Sequence, residues 1–226
     1  SLDLWDDWIG MYTLGKNGVA KYGVEANYFR DWEKPINLEY FENDGTGSGF
    51  NVTCALSIIG ERRSMYQKSL KVFTRNKLGC DEITYAVFPD KNINQFKALF
   101  LRNSGYDDFQ TTLLRDGLIT SLIAGKMDID YLDYKPALLF INGEFWGLYK
   151  IREKIDEDYL ATNHMVDPAY LDMLEFRTST IQGDTIHYSE MLAYLKANNM
   201  DSDSGYKYLH SRLDLDEVIN YFITEI

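Results

Sequence analysis

The dipeptide Asn142-Gly143 stands between two apolar runs, Ala137 to Ile141 and Phe145 to Ile151, and no other feature of this chain restricts its fold as much. A two-residue hairpin turn needs positive φ at both central positions, which asparagine and glycine accept at low cost. The two runs therefore read as antiparallel neighbours. Alternation along the second puts Leu148 and Lys150 on one face and Tyr149, Ile151 and Glu153 on the other. A carboxylate on the mostly apolar face needs a partner, because a buried unpaired charge is costly.

The residues before this hairpin are rich in strand patterns. Ile36 to Phe41 alternates as a half-buried strand, and Asn43 to Gly49 is turn-forming. Val52 to Ile59, Ser69 to Thr74 and Phe96 to Leu101 read as further strands. The period then changes. Asp107 or Asp108 can cap a helix whose apolar stripe is Phe109, Leu113, Leu114, Leu118 and Leu122. A short helix follows the hairpin from about Ile155 to Asn163, and Leu171 to Phe176 reads as one more strand. Everything after that reads as helical: Tyr188 to Ala197, then a helix opened by the capping pair Asp214 and Glu217. That last helix reaches Ile226 with its apolar stripe still running, so the natural protein is expected to continue. The pattern is α+β: a β-rich region over 1–176 with inserted helices, and the beginning of a helical region over 177–226.

The 226 residues carry a formal charge of −12, with 45% hydrophobic and 15% aromatic residues. An acidic balance argues against wholesale nucleic-acid binding, where a basic face supplies most of the affinity. No run of about 18 apolar residues suggests a membrane span. Cys54 and Cys80 are too few for a disulfide framework or a zinc site and read as small core residues, although one bridge is open to them in an oxidising compartment. His164, His187 and His210 lack ligand spacing, so no metal site is expected. The tryptophans Trp5, Trp8, Trp32 and Trp146 read as core rather than as a carbohydrate platform, and Asn51-Val52-Thr53 is a bare glycosylation triplet.

Chemistry concentrates in Gly60 to Arg75. Gly60 lets a backbone approach a phosphate, Arg62 and Arg63 can neutralise it, and Lys68 stands at the entry to a strand. Lys68 is the candidate partner for Glu153. The bland alternative is a solvated turn beside a structural ion pair. Arg102 and Asn103 end a strand, and an Arg102 to Asp116 bridge to the next helix is the simplest reading there.

In order along the chain, NYFRDWEKPINLEYFENDG, the Gly60 loop with QKSLKVFTR, ITYAVFP, FLRNSGYDDF and FINGEFWGLYKIREKIDEDYL together resemble the CotH kinase family, named for a spore-coat protein H. The resemblance implies an atypical protein-kinase-like fold, with a β-rich N-lobe and a helical C-lobe. It implies ATP with Mg²⁺ or Mn²⁺ in the intact parent, and a secreted or surface protein as phosphate acceptor in an extracytoplasmic location. By position it makes Lys68 the lysine that contacts nucleotide phosphate, with Gly60 and Arg63 in the same loop. Glu153 matches the acidic residue of the family's G-x-Y-x-x-x-E stretch, and Leu174 would border the adenine. The family's catalytic and metal-binding aspartates are expected beyond Ile226, so the chain as given is expected to be inactive. Tyr66 stands where the family commonly has proline. The competing reading is a non-catalytic cell-surface or coat-assembly module. A carbohydrate-active domain would rest on the tryptophans alone.

Overall fold

A computed structural model describes residues 2–104, 112–176 and 179–225. Its strands are β1 Val19–Lys21, β2 Val24–Ala26, β3 Lys34–Phe41, β4 Gly49–Ile58, β5 Leu70–Phe73, β6 Ile83–Thr84 and β7 Gln95–Phe96. They continue with β8 Ala98–Arg102, β9 Tyr134–Ile141, β10 Glu144–Arg152, β11 Met173–Glu175 and β12 Ser179–Gln182. The α-helices are α1 Leu2–Trp5, α2 Arg115–Ile123, α3 Glu157–His164, α4 Ile186–Ala197, α5 Asp203–His210 and α6 Leu215–Glu225. The chain is α+β, compatible with a kinase-like fold. No described helix is long and apolar enough to cross a membrane.

The molecule divides into two compact units. The first comprises Ser1–Leu118 with Leu132–Lys154, and the second Ile119–Tyr131 with Ile155–Ile226. The first is built on a six-stranded antiparallel sheet ordered β3-β4-β5-β8-β10-β9. The hairpin that the sequence dictates is β9–β10, with Asn142 at φ 53° and Gly143 at φ 85°. The ladder slips between Phe145 and Gly147, and Gly147 takes φ 137°. A Cβ there would lie 2.8 Å from the Gln67 amide nitrogen, so the bulge makes room for Gln67 to donate to the Leu148 carbonyl at 2.6 Å.

The register assigns the faces. Leu70 lies opposite Ile58 and Leu101, and Leu101 opposite Ile151, so these side chains share one face and form the core. Each buried aliphatic side chain contributes about 1.5–3 kcal/mol there. Met11, Tyr12, Tyr28 and Phe29 from the N-terminal segment pack on the same face, as do Val87 and Phe88. Lys71 lies opposite Ser57 and Phe100, Phe100 opposite Arg152, and Arg102 opposite Lys150. Those side chains share the other face, where the cations stand among Phe73, Leu138 and Leu148.

Cys54 and Cys80 are buried free thiols, as expected of small core residues. Helix α2 begins at Arg115. Leu113 has φ 59°, a left-handed conformation that a helix interior does not take, so Leu113 and Leu114 leave the anticipated stripe. Asp107, Asp108 and Phe109, the anticipated start, lie outside the described residues, as does the side chain of Asp116.

In the second unit, Ser179–Gln182 is a strand paired with β11, which corrects the all-helical expectation beyond Phe176. Phe176 turns with φ 50°, and the β-branched pair Thr180-Ile181 suits the return strand. Helix α5 was not anticipated from periodicity. It is capped by Ser202, whose hydroxyl accepts from Gly205 N–H. Asp156 caps α3 by accepting from Tyr159 N–H, and Asp214 caps α6 by accepting from the N–H groups of Asp216 and Glu217.

Candidate functional site

At one end of the sheet's cation-bearing face lies a cleft of about 330 Å³. Gly60, Glu61 and Arg62 line it from the loop after β4, Ser69 from the entry to β5, and Phe100, Arg102 and Asn103 from β8. Gly60 has φ 83° and open space where a Cβ would stand, so the glycine is required by its conformation rather than by crowding. Asn103 is the keystone of the floor. Its Oδ1 accepts from the Ser69 hydroxyl at 2.7 Å, and its Nδ2 donates to the Gln67 carbonyl at 2.5 Å. These bonds fix the end of the loop against β8.

Five cations share this face: Arg62 and Arg102 in the cleft, and Lys71, Lys150 and Arg152 along the adjoining strands. Lys150 and Arg152 are buried, and Arg152 donates to the Leu132 carbonyl at 2.9 Å. The acidic member of the lining, Glu61, is directed to Lys21 at 3.1 Å and to the Tyr22 hydroxyl. Those partners hold its carboxyl below the usual range.

The sequence-predicted residues distribute differently from the expectation. Gly60 lines the cleft. Arg63 does not: its Nη1 donates to Asp31 at 2.8 Å and to the Arg30 carbonyl at 3.3 Å, while Nε donates to the Gly60 carbonyl at 3.1 Å. Lys68 is turned to the core face. Its ammonium donates to the Met65 carbonyl at 2.7 Å and lies 4.4 Å from the Tyr28 ring centroid and 5.3 Å from that of Tyr12. Burial pulls its pKa down to about 8.

The Lys68–Glu153 pairing does not form. Glu153 meets Lys91 at 2.5 Å and accepts from Asp133 N–H at 3.1 Å. The register explains why. Lys68 stands level with Tyr149, whose hydroxyl donates to the Lys68 carbonyl at 2.9 Å, whereas Glu153 stands level with Val72. Four residues of strand, about 13 Å, separate them. Leu174 lies in the second unit, on β11.

Sequence reasoning missed Lys71, Lys150 and Arg152 as a group. Alternation placed Lys150 opposite Glu153 correctly, but nothing local says that β5, β8 and β10 are neighbours. The tryptophans divide: Trp32 and Trp146 pack against the core, whereas Trp5 and Trp8 are exposed, although Trp146 meets Trp5 and Tyr12 with ring centroids 5.4 Å away in each case. Tyr66, the residue in the proline position, stacks on Trp146 at 5.3 Å. Among the described residues no group of three or more His, Cys, Asp or Glu side chains could hold a metal ion.

An antiparallel sheet with one apolar face, followed by helices, is compatible with a kinase-like fold. The family model described as CotH kinase protein matches residues 56–226, and the chain belongs to that family. No curated protein matches it in sequence.

Proposed function

We propose that this chain is the nucleotide-binding part of an ATP-dependent kinase, with the phosphates lying on the cation-bearing face beside the Gly60 loop. The observation that carries this reading is the cleft of Gly60, Arg62, Ser69, Arg102 and Asn103, with Lys71, Lys150 and Arg152 on the same face. Arginine forks and backbone N–H groups are the usual donors to phosphate oxygens. In this reading the β-rich residues up to 176 act as the N-lobe and residues 177–226 begin the C-lobe. A divalent ion, where bound, neutralises charge between the β and γ phosphates. The described residues supply no cluster for it, so none of its ligands is assigned here. The parent protein's acceptor is a secreted or surface protein, in keeping with an extracytoplasmic site of action.

Calorimetric titration with ATP and Mg²⁺ or Mn²⁺ tests the reading. A charge-assisted hydrogen bond to phosphate is worth about 1.5–3 kcal/mol, so Arg102→Ala should weaken binding by roughly 10- to 150-fold. Equal affinity in wild type and variant, or no binding in a folded wild type, defeats it.

A further inference from the structure

We propose that residues 2–32, which precede the matched family residues, form a clamp that fixes the Gly60–Lys68 loop and thereby sets the affinity of the cleft for phosphate-bearing ligands. The affinity part rests on the nucleotide reading above; the fixing of the loop does not.

Four tethers join the two segments. Glu61 is held by Lys21 at 3.1 Å and by the Tyr22 hydroxyl. Arg63 is held by Asp31 at 2.8 Å and by the Arg30 carbonyl at 3.3 Å. The Lys68 ammonium rests between the rings of Tyr28 and Tyr12 while bonded to the Met65 carbonyl. Tyr66 stacks on Trp146, which packs in turn on Trp5 and Tyr12. Arg62, the loop cation that lines the cleft, therefore sits between two residues tied to the N-terminal segment.

The segment is stiff enough to act as an anchor. Asn27 is fully buried, donates to the Gly10 and Asp7 carbonyls at 3.1 and 3.2 Å, and accepts from Asn17 N–H at 3.2 Å. A Cβ at Gly15 would fall 2.1 Å from the Asn27 amide, so that part of the segment closes directly onto it. Individual exposed ion pairs are weak. Here they act on either side of one residue, and their effect is on position rather than on overall stability.

The test uses the full chain and the triple variant Lys21→Ala, Tyr22→Phe, Asp31→Ala. None of the three residues lines the cleft. Two readouts are taken: amide hydrogen exchange of 60–66, and ATP·Mg²⁺ affinity by calorimetry. The expected result is faster loop exchange, unchanged exchange in β8 and β10, and about five- to thirtyfold weaker ATP binding. Restoring the carboxylate with Asp31→Glu should recover part of the affinity. Unchanged loop exchange overturns the proposal, and so does a loosened loop that binds ATP as tightly as wild type. A wild-type protein that binds neither ATP nor sodium tripolyphosphate defeats the nucleotide reading and the affinity part with it. Loop exchange then decides whether the clamp itself stands.

Discussion

Replacing Lys91 by methionine removes the cation from a pair whose side chains are 10% and 4% exposed. Glu153 then keeps its Asp133 N–H but loses the ammonium that met it at 2.5 Å. Breaking a buried pair from one side costs about 3–5 kcal/mol, because the remaining charge stays desolvated. The hydrogen bond from Asp133 argues for the lower end, about 3 kcal/mol. For a chain of this length that corresponds to a fall in melting temperature of roughly 6–12 °C. Removing both charges in Lys91→Met/Glu153→Leu should cost far less, about 0–1.5 kcal/mol, since an apolar pair of similar volume suits the core face. Urea denaturation followed by tryptophan fluorescence, with calorimetry for the melting temperature, gives both numbers. If the double variant is as destabilised as the single one, Glu153 is not held chiefly by Lys91 and the structural role assigned to it is wrong. The comparison bears on function, because Glu153 was the carboxylate expected to orient a phosphate-binding lysine.

Two further outcomes follow from buried groups. Asn27→Ala removes the side-chain amide from the Gly10 and Asp7 carbonyls, which keep the Thr13 hydroxyl and Lys16 N–H as donors, and should destabilise the protein by about 1–3 kcal/mol, measured by the same denaturation. Burial pushes the Cys54 thiol up to about 12 and raises Cys80 as well, so both should react with a thiol reagent only as fast as the protein opens. Prompt labelling of the native protein at pH 8 would contradict the burial.

Much of the sheet was legible because its signals are local. Asn142-Gly143 fixed a hairpin, and period-two alternation fixed which residues of β10 share a face. The site was less legible because it is assembled across strands whose adjacency is not local. Lys68 and Glu153 lie on the same face, as a pairing requires, yet the register sets them four residues apart. The paired arginines could not be told apart by sequence: Arg62 lines the cleft, and Arg63 turns to a segment some thirty residues upstream. Helix α5 had a local sign in Ser202, but it spans only eight residues and carries Gly205, a poor helix former, in its first turn.

Lys68 is a buried cation whose charge bears on stability and on the loop that it holds. Its folded pKa of about 8 lies below the value near 10.4 of an unfolded lysine. Between those values the unfolded chain binds more protons than the folded one, so stability rises as pH increases from about 8 to about 10.5. Below pH 8 the buried charge costs the fold on the order of 3 kcal/mol, before any return from the Met65 carbonyl and the Tyr28 ring. The tyrosines facing it do not confuse this window, because burial raises the pKa of both Tyr12 and Tyr28. Lys68→Met fills the same volume without the charge. At pH 7 it should be as stable as wild type or more so, by up to about 2 kcal/mol, and the difference should shrink by pH 10. Denaturation at pH 7, 8.5 and 10 measures this, and a variant that is less stable at pH 7 and gains on wild type as pH rises refutes it. The same variant loses the bond that holds Met65, so its 60–66 amides should exchange faster even where global stability has increased. Gain in stability together with loss of loop order would separate the clamp from the core on which it rests.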